Sequence, residues 1–325
     1  MTTSWTSPPS SSADPQPLEE PGGATGRPGL VDGVTGMRGK GSDPDGRPGL
    51  VWRPGPPSAA DPSPAWPPVL VAEDLLEAGV VAAFTGRAGG TSEAPYATLN
   101  LGLRVGDDVR RVLANRRRVA TVLGLAGQPW ALARQVHSAT VLRVEAGRLD
   151  QGPPEAKPPL GDGDGLVTTD PGVVLAVLTA DCAPVLLADP AAGVVGAVHA
   201  GWRGLAAGVV EAGVAALAEL GADPAGCVGL VGPAVGGCCY EVGPEVREAV
   251  GARLPAALAT TRDGRPALDP AAGAAQALGR AGVGQVRVAA ECTFDLEERF
   301  FSHRRDHGRT GRQAGLIAIV PGGAR

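Results

Sequence analysis

The stretch VLTADCAPVLLAD, residues 177–189, breaks an apolar run with a carboxylate and a thiol side by side, Asp181 and Cys182. A buried strand gains nothing from a charge at that point, so the pair either ends a strand at a turn or stands where chemistry occurs. The 325 residues include only four histidines: His137, His199, His303 and His307. His137 in ARQVHSATV and His199 in VGAVHAGWRG fall, like Cys182, at ends of apolar runs. Strand ends are where a scaffold presents side chains to a cleft. Two imidazoles and a thiolate suit a catalytic zinc ion whose fourth position is left to water or substrate. Their spacings, 45 and 17 residues, match no local zinc-finger pattern. The same residues therefore also admit a nucleophilic pair, with His199 as the base for Cys182 and Asp181 or another polar group orienting it. A packed cysteine or a hydrogen-bonded core histidine is the ordinary expectation for each alone; their shared placement singles the three out.

A second signal follows His199. In HAGWRGLAAGVV, Arg203 stands between a strand and a helix. Unpaired N–H groups, the helix dipole and a guanidinium together suit phosphate or another anion. GPAVGGCCYEV at 232–242 is a glycine-rich turn after a strand, with neither a GK[ST] nor a GxGxxG pattern, so it carries no nucleotide signature. Its adjacent Cys238 and Cys239 would point to opposite sides if extended, so core packing is expected for them. No C-x₂₋₄-C pair is present, and a closed structural zinc site drawing on Cys227, Cys238, Cys239 or Cys292 is the lesser expectation. The ending FFSHRRDHGRTGRQAGLIAIV is dense in arginine before a final strand, either a solvated loop or a lid over an anionic substrate. His303 and His307 lie in residues that read as loop, which argues against a shared metal.

These side chains need elements to hold them. Residues 1–68 carry 15 of the chain's 31 prolines and a duplicated GRPGLV, at 26–31 and 46–51, and are expected to be a disordered tail. From residue 69 to 325 the pattern is globular. Strands are expected at 79–84, 140–145, 173–179, 184–188, 194–199, 227–232, 285–289 and 315–320, and helices at 108–123, 205–220, 243–253 and 270–282. Residues 146–165 read as loop. Strands and helices mix without strict alternation, which favours an α+β sandwich over a doubly wound parallel sheet. A formal net charge of -5 gives no general attraction to nucleic acid or an anionic membrane. No signal peptide and no run long enough for a membrane span is found. Five cysteines without a small-domain framework fit reduced thiols in a cytoplasmic protein.

Eight motifs occur in order: FTGRAGGTSEAPYATLNLG, RQVHSATV, DGDGLVTTD, TADCAPVLLAD, AVHAGWRGL, GPAVGGCCYEV, CTF and FFSHRRDHGRTGRQAGLIAI. Together they resemble the YfiH family, whose members have been described as polyphenol oxidases of the laccase domain, peptidoglycan editing factors and purine nucleoside phosphorylases. The resemblance covers about residues 68–325. It implies a four-layered α/β/β/α sandwich related to cytotoxic-necrotizing-factor-like hydrolases, and a zinc site made of His137, Cys182 and His199. The activity it implies is phosphorolysis of adenosine, inosine, guanosine and methylthioadenosine, with adenosine deamination as a second reaction. One departure is visible: His303 stands where the family usually has an aromatic residue after Ser302, which bears on a substrate contact.

On that reading, zinc presents hydroxide to the purine for deamination and Asp181 shuttles the proton. Arg203 is the first candidate for holding phosphate, with Arg87, Gln135 and Arg304 as further substrate contacts. Two other readings remain open: a Cys–His amidase editing a peptidoglycan precursor, with Cys182 as nucleophile, and a zinc-stabilised binding module. A multicopper oxidase needs far more imidazoles than four, so copper is expected only as an adventitious occupant of the His₂Cys set.

Overall fold

The three most apolar segments, VLAVLT, APVLLAD and VVGAVHA, are buried along almost their whole length. Strands buried on both faces must lie between two other layers. The computed structural model, which describes residues 49–54, 66–149 and 159–320, shows those layers.

Among the described residues one six-stranded sheet runs in the order β1 (Leu50–Arg53), β2 (Val69–Ala72), β3 (Val80–Thr85), β14 (Gln313–Ile319), β7 (Val174–Thr179) and β4 (Trp130–Ala131). A second runs β13 (Gln285–Val288), β10 (Val228–Val231), β8 (Ala183–Asp189), β9 (Val194–Ala200), β6 (Gly165–Thr168) and β5 (Val141–Arg143). A small hairpin, β11 (Leu258–Thr260) and β12 (Pro266–Leu268), stands apart. The helices are α1 (Glu73–Glu77), α2 (Val109–Val122), α3 (Trp202–Ala207), α4 (Val209–Glu219), α5 (Pro244–Gly251) and α6 (Pro270–Arg280).

Period-two alternation along the strands decides the stacking. Leu175 and Val177 of the first sheet pack with Leu186, Ala188, Val195 and Ala197 of the second to form the central core. The alternate residues Val174, Ala176, Ala314 and Leu316 face outward onto Val119 and Ala120 of α2. On the far side, Val185, Leu187, Val198 and Val231 meet Leu205, Val209, Val250, Ala274 and Leu278 of α3 to α6. Two sheets face to face with helices on both outer surfaces make the α/β/β/α sandwich expected from the resemblance. The neighbouring strands β7 and β8 belong to different sheets, so residues 180–182 are where the chain crosses between them. That crossing is why Asp181 and Cys182 interrupt the apolar run.

Several expectations need correction. The segment 1–68 is not irregular throughout: LVWR pairs antiparallel with β2, Leu50 opposite Ala72 and Arg53 opposite Val69. Trp52 donates its indole N–H to Glu291 at 2.7 Å, and Arg53 pairs with Glu73, which anchors this edge strand to the globular part. The duplicated GRPGLV falls partly on it; the first copy lies outside the described residues. The single helix expected at 205–220 is two, α3 and α4, because Gly208 adopts φ 85° in the left-handed region between them. Glycine adopts that conformation without the strain a Cβ would bring, which is what permits the break. Cys238 and Cys239 are not extended core residues: they lie half-buried in a turn, with their sulfurs 3.2 Å apart. No helix is long and apolar enough to cross a membrane among the described residues.

Candidate active site

The crossing at 180–182, the end of β9 and the loop before β5 converge at one end of the sandwich. Asp181 has φ 88° and His137 φ 61°, left-handed conformations that cost energy for non-glycine residues and persist only where the surroundings enforce them. At His137 the enforcing group is Asp164, in the GDGDG segment just before β6. Its carboxylate accepts three successive backbone N–H groups, from Val136 (3.2 Å), His137 (3.0 Å) and Ser138 (2.6 Å), and the Ser138 hydroxyl at 2.9 Å. Its Oδ1 also lies 2.9 Å from Nδ1 of His199. Burial alone would raise the Asp164 pKa, but the hydrogen bonds from His199 and Ser138 outweigh it and bring it down to about 2. The ionised carboxylate requires Nδ1 of His199 to carry the proton it donates. Nε2 of His199 is thereby left facing Cys182, the nitrogen that would bind a metal in exchange for its proton.

Cys182 Sγ lies 4.0 Å from Nε2 of His137, and the donor atoms of His137, Cys182 and His199 all lie within 4.8 Å of one another. The approach is close enough that a side chain at residue 201 would push them aside, since a Cβ there would fall 2.8 Å from the His137 ring and 3.0 Å from Cys182 Sγ. Burial pushes the Cys182 thiol up, yet the His199 charge and hydrogen bonds from both imidazoles bring it down to about 6. His199 is raised in turn to about 9 against its burial, chiefly by the Cys182 charge and the Asp164 hydrogen bond. A soft thiolate and two imidazoles, one oriented from behind by a carboxylate, are a donor set that fits zinc with a position open to the cavity.

A cavity of about 590 Å³ opens over these three residues, lined also by Asp181, Gln135, Thr179, Trp202, Tyr240, His303 and the arginines Arg104, Arg116, Arg134, Arg203, Arg304 and Arg312. Arg134 is paired with Asp162. Arg116 is buried, donates from Nε and one terminal nitrogen to the Leu101 carbonyl, and has its pKa lowered to about 10 by burial. The buried hydroxyl of Thr179 has no hydrogen-bond partner among the described residues. Tyr240 lies under Arg304 (4.8 Å to the ring centroid), and burial with the nearby Cys182 charge pushes its phenol up to about 12, so it stays protonated.

The residues expected from sequence are placed differently by the fold. His137, Cys182 and His199 come together. Arg203 and Arg304 both reach the cavity, but α3 has only six residues, so the helix dipole adds little and the guanidinium, 4.3 Å from the Trp202 ring centroid, acts as itself. Asp181 and Gln135 line the cavity with their polar atoms engaged. Asp181 accepts from the Thr293 hydroxyl and the Arg304 N–H, each at 2.7 Å. The Gln135 amide exchanges both hydrogen bonds with Leu178, at 2.8 and 2.9 Å, closing the loop onto β7. Arg87 does not line the cavity: it donates to the carbonyls of Ala97 and Glu297 and covers the Phe301 ring at 4.9 Å. Most of the FTGRAGGTSEAPYATLNLG motif is scaffold, knitted by Asn115 to Thr91, Ser92, Thr98 and Asn100, while its last residue, Gly102, lines the cavity. His303 reaches the cavity without joining a metal cluster among the described residues.

Asp164, Arg116 and Arg312 were not singled out in the sequence. Asp164 had a signal, a carboxylate between glycines immediately before an apolar strand. Arg116 hides in the run RRR, where nothing tells the buried guanidinium from exposed ones.

Residues 81–320 match the family described as multi-copper polyphenol oxidoreductase laccase. A purine nucleoside phosphorylase of Streptomyces coelicolor is 50% identical over 234 residues, 72% of this chain and 93% of that protein. One from Deinococcus radiodurans is 42% identical over 252 residues, covering 78% and 93%. Among solved structures, YfiH of Bacillus licheniformis superposes with a TM-score of 0.72 at 35% identity, covering 82% of this chain and 98% of that one. YlmD of Geobacillus stearothermophilus gives 0.71 at 36%, covering 78% and 96%. With sequence, motif order, layered fold and converged side chains in agreement, the chain belongs to the YfiH family, the one that carries the laccase description.

Proposed function

We propose that the protein is a zinc-dependent purine nucleoside phosphorylase that also deaminates adenosine. The observation that carries this is a cavity of nucleoside size with a His₂Cys donor set at its floor and arginines around its wall. The names of relatives at 42–50% identity support the phosphorylase part of that reading. Zinc held by His137, Cys182 and His199 would supply Lewis acidity beside the substrate.

The chain's own residues do the rest. Phosphorolysis needs phosphate brought to C1′ of the ribose while the base departs with the glycosidic electron pair, so cations must hold the anion and stabilise charge as the bond breaks. Arg203, Arg304, Arg312 and Arg116 line the cavity, and none of them forms a salt bridge with a carboxylate among the described residues. Tyr240 and Trp202 offer ring faces to a purine. Asp181 suits positioning better than proton shuttling, since both of its oxygens already accept hydrogen bonds: it holds the Arg304 backbone in place over the cavity.

Four histidines cannot furnish a trinuclear and a blue-copper centre, so we do not extend the family's laccase description to the reaction. Copper could enter the His₂Cys set adventitiously, as Cu²⁺ outcompetes zinc for such donors. One feature favours the amidase alternative: Cys182, His199 and Asp164 stand in the order nucleophile, base and orienting acid. One experiment separates these. Zinc content and phosphate-dependent release of base from adenosine and inosine are measured in wild type and Cys182→Ala. Bound zinc with activity lost on chelation and in the variant is expected. Equal rates in both proteins overturn the metal-site reading, and a metal-free enzyme inactivated by alkylation favours the amidase.

A further inference from the structure

Three of the five cysteines gather away from the His₂Cys set. Cys238 and Cys239 lie in the turn after β10, Cys292 and Asp295 in the loop after β13. Cys238 Sγ is 3.2 Å from Cys239 Sγ, 3.9 Å from Cys292 Sγ and 3.6 Å from Asp295 Oδ2. Cys239 Sγ is 3.2 Å from Asp295 Oδ1, and all four donor atoms lie within 4.8 Å of one another. A tetrahedral zinc ion with Zn–S bonds of about 2.3 Å keeps its sulfurs about 3.8 Å apart, and the observed separations scatter around that edge. All three cysteines are free thiols, partly open to solvent, so an ion can reach them. Adjacent cysteines chelate together here because the turn, unlike a strand, sends both side chains the same way.

We propose that Cys238, Cys239, Cys292 and Asp295 form a second, structural metal site for zinc, separate from the site in the cavity. Burial and Asp295 hold the Cys238 and Cys239 thiols protonated, and a dication would replace those protons. Arg262 pairs with Asp295 and approaches Cys239 Sγ at 3.6 Å. It can keep one carboxylate oxygen while the other binds the ion, the usual arrangement behind a metal ligand. The site staples the segment carrying Tyr240 to the one carrying Thr293. Those two segments already meet through the Thr293 N–H to the Ala234 carbonyl, and both grip Asp181, through Val235 N–H and the Thr293 hydroxyl. Zinc there stiffens the wall of the cavity without touching substrate.

The proposal does not rest on the metal in the cavity, and the test keeps the two apart. Zinc is measured in full-length protein purified under reducing conditions, as wild type, Cys182→Ala, and Cys182→Ala with Cys238→Ser and Cys292→Ser. Cobalt(II) added to metal-free protein reports thiolate ligation by its charge-transfer absorption. One zinc per chain should persist in Cys182→Ala and vanish when Cys238 and Cys292 are also replaced. Asp295→Asn, which cannot unfold a core, should weaken cobalt binding by about tenfold or more. Zinc content unaffected by the cysteine replacements overturns the site. So does a reduced Cys182→Ala protein that takes up no metal, or one whose Cys238 is found oxidised onto Cys239 or Cys292 and binds nothing once reduced.

Discussion

Replacing Asp164 by Asn tests how much of the cavity's chemistry is set from behind. The substitution is nearly isosteric, and Asp164 itself is only 1% exposed. Oδ2 serves Val136, Ser138 N–H and the Ser138 hydroxyl; Oδ1 serves the His137 N–H and Nδ1 of His199. If the new amide keeps its oxygen toward Ser138, its NH₂ faces the His137 N–H, leaving a buried donor opposed at a cost of about 1–3 kcal/mol. The same NH₂ demands an acceptor at Nδ1 of His199, which moves the ring proton to Nε2, the nitrogen a metal needs. Loss of such an outer partner typically weakens metal binding about 10–100-fold. The expected result is therefore a folded protein, less stable in denaturant by about 1–3 kcal/mol, that yields zinc to a chelator about 10–100-fold more readily. Zinc competition and urea unfolding of the metal-free form measure the two effects separately. A variant with wild-type zinc affinity would refute the tautomer argument, whatever its stability.

Acid should act through the same residue. With its folded pKa about 2 against an ordinary 3.8, Asp164 contributes stability that is fully present above about pH 4 and is lost as pH falls through 2. Acid unfolding of metal-free Asp164→Asn should lack that component relative to wild type. In metal-free wild type, alkylation of Cys182 by iodoacetamide should rise with a midpoint near pH 6 rather than the 9.0 of an ordinary thiol; a midpoint at 9 removes the thiolate–imidazolium pair. Gly201→Ala should keep the fold but drive His137 and Cys182 apart, abolishing zinc retention, as read by elemental analysis and circular dichroism together. Arg203→Ala should raise the apparent KM for phosphate while leaving zinc content unchanged, and an unaltered KM takes Arg203 out of the phosphate site.

Local chemistry made much of this protein legible from sequence. Apolar runs marked β3, β7, β8, β9, β10 and β14, because a strand buried on both faces must be apolar throughout. The short edge strands β1 and β4 carry too few residues for a pattern and, like β2 between β1 and β3, exist through pairing with neighbours. His137, Cys182 and His199 stood out because their side chains do not belong at the ends of apolar runs unless something is held there.

What stayed hidden depends on partners distant in the chain. The sequence by itself determined the longer apolar strands, the interruption at Asp181–Cys182 and the prominence of His137, Cys182 and His199. Only the tertiary structure decided that the interruption is a crossing between two sheets, since that rests on which neighbours β7 and β8 pair with. It alone chose the roles of the carboxylates. Asp164, 35 residues from His199, orients the imidazole, while Asp181, 112 residues from Thr293, braces the wall. It also turned Arg87 into scaffold and brought Cys238, Cys239 and Cys292 together. A side chain's type is written in the sequence, but its hydrogen-bond partners and the field it feels are fixed only when the layers close around it.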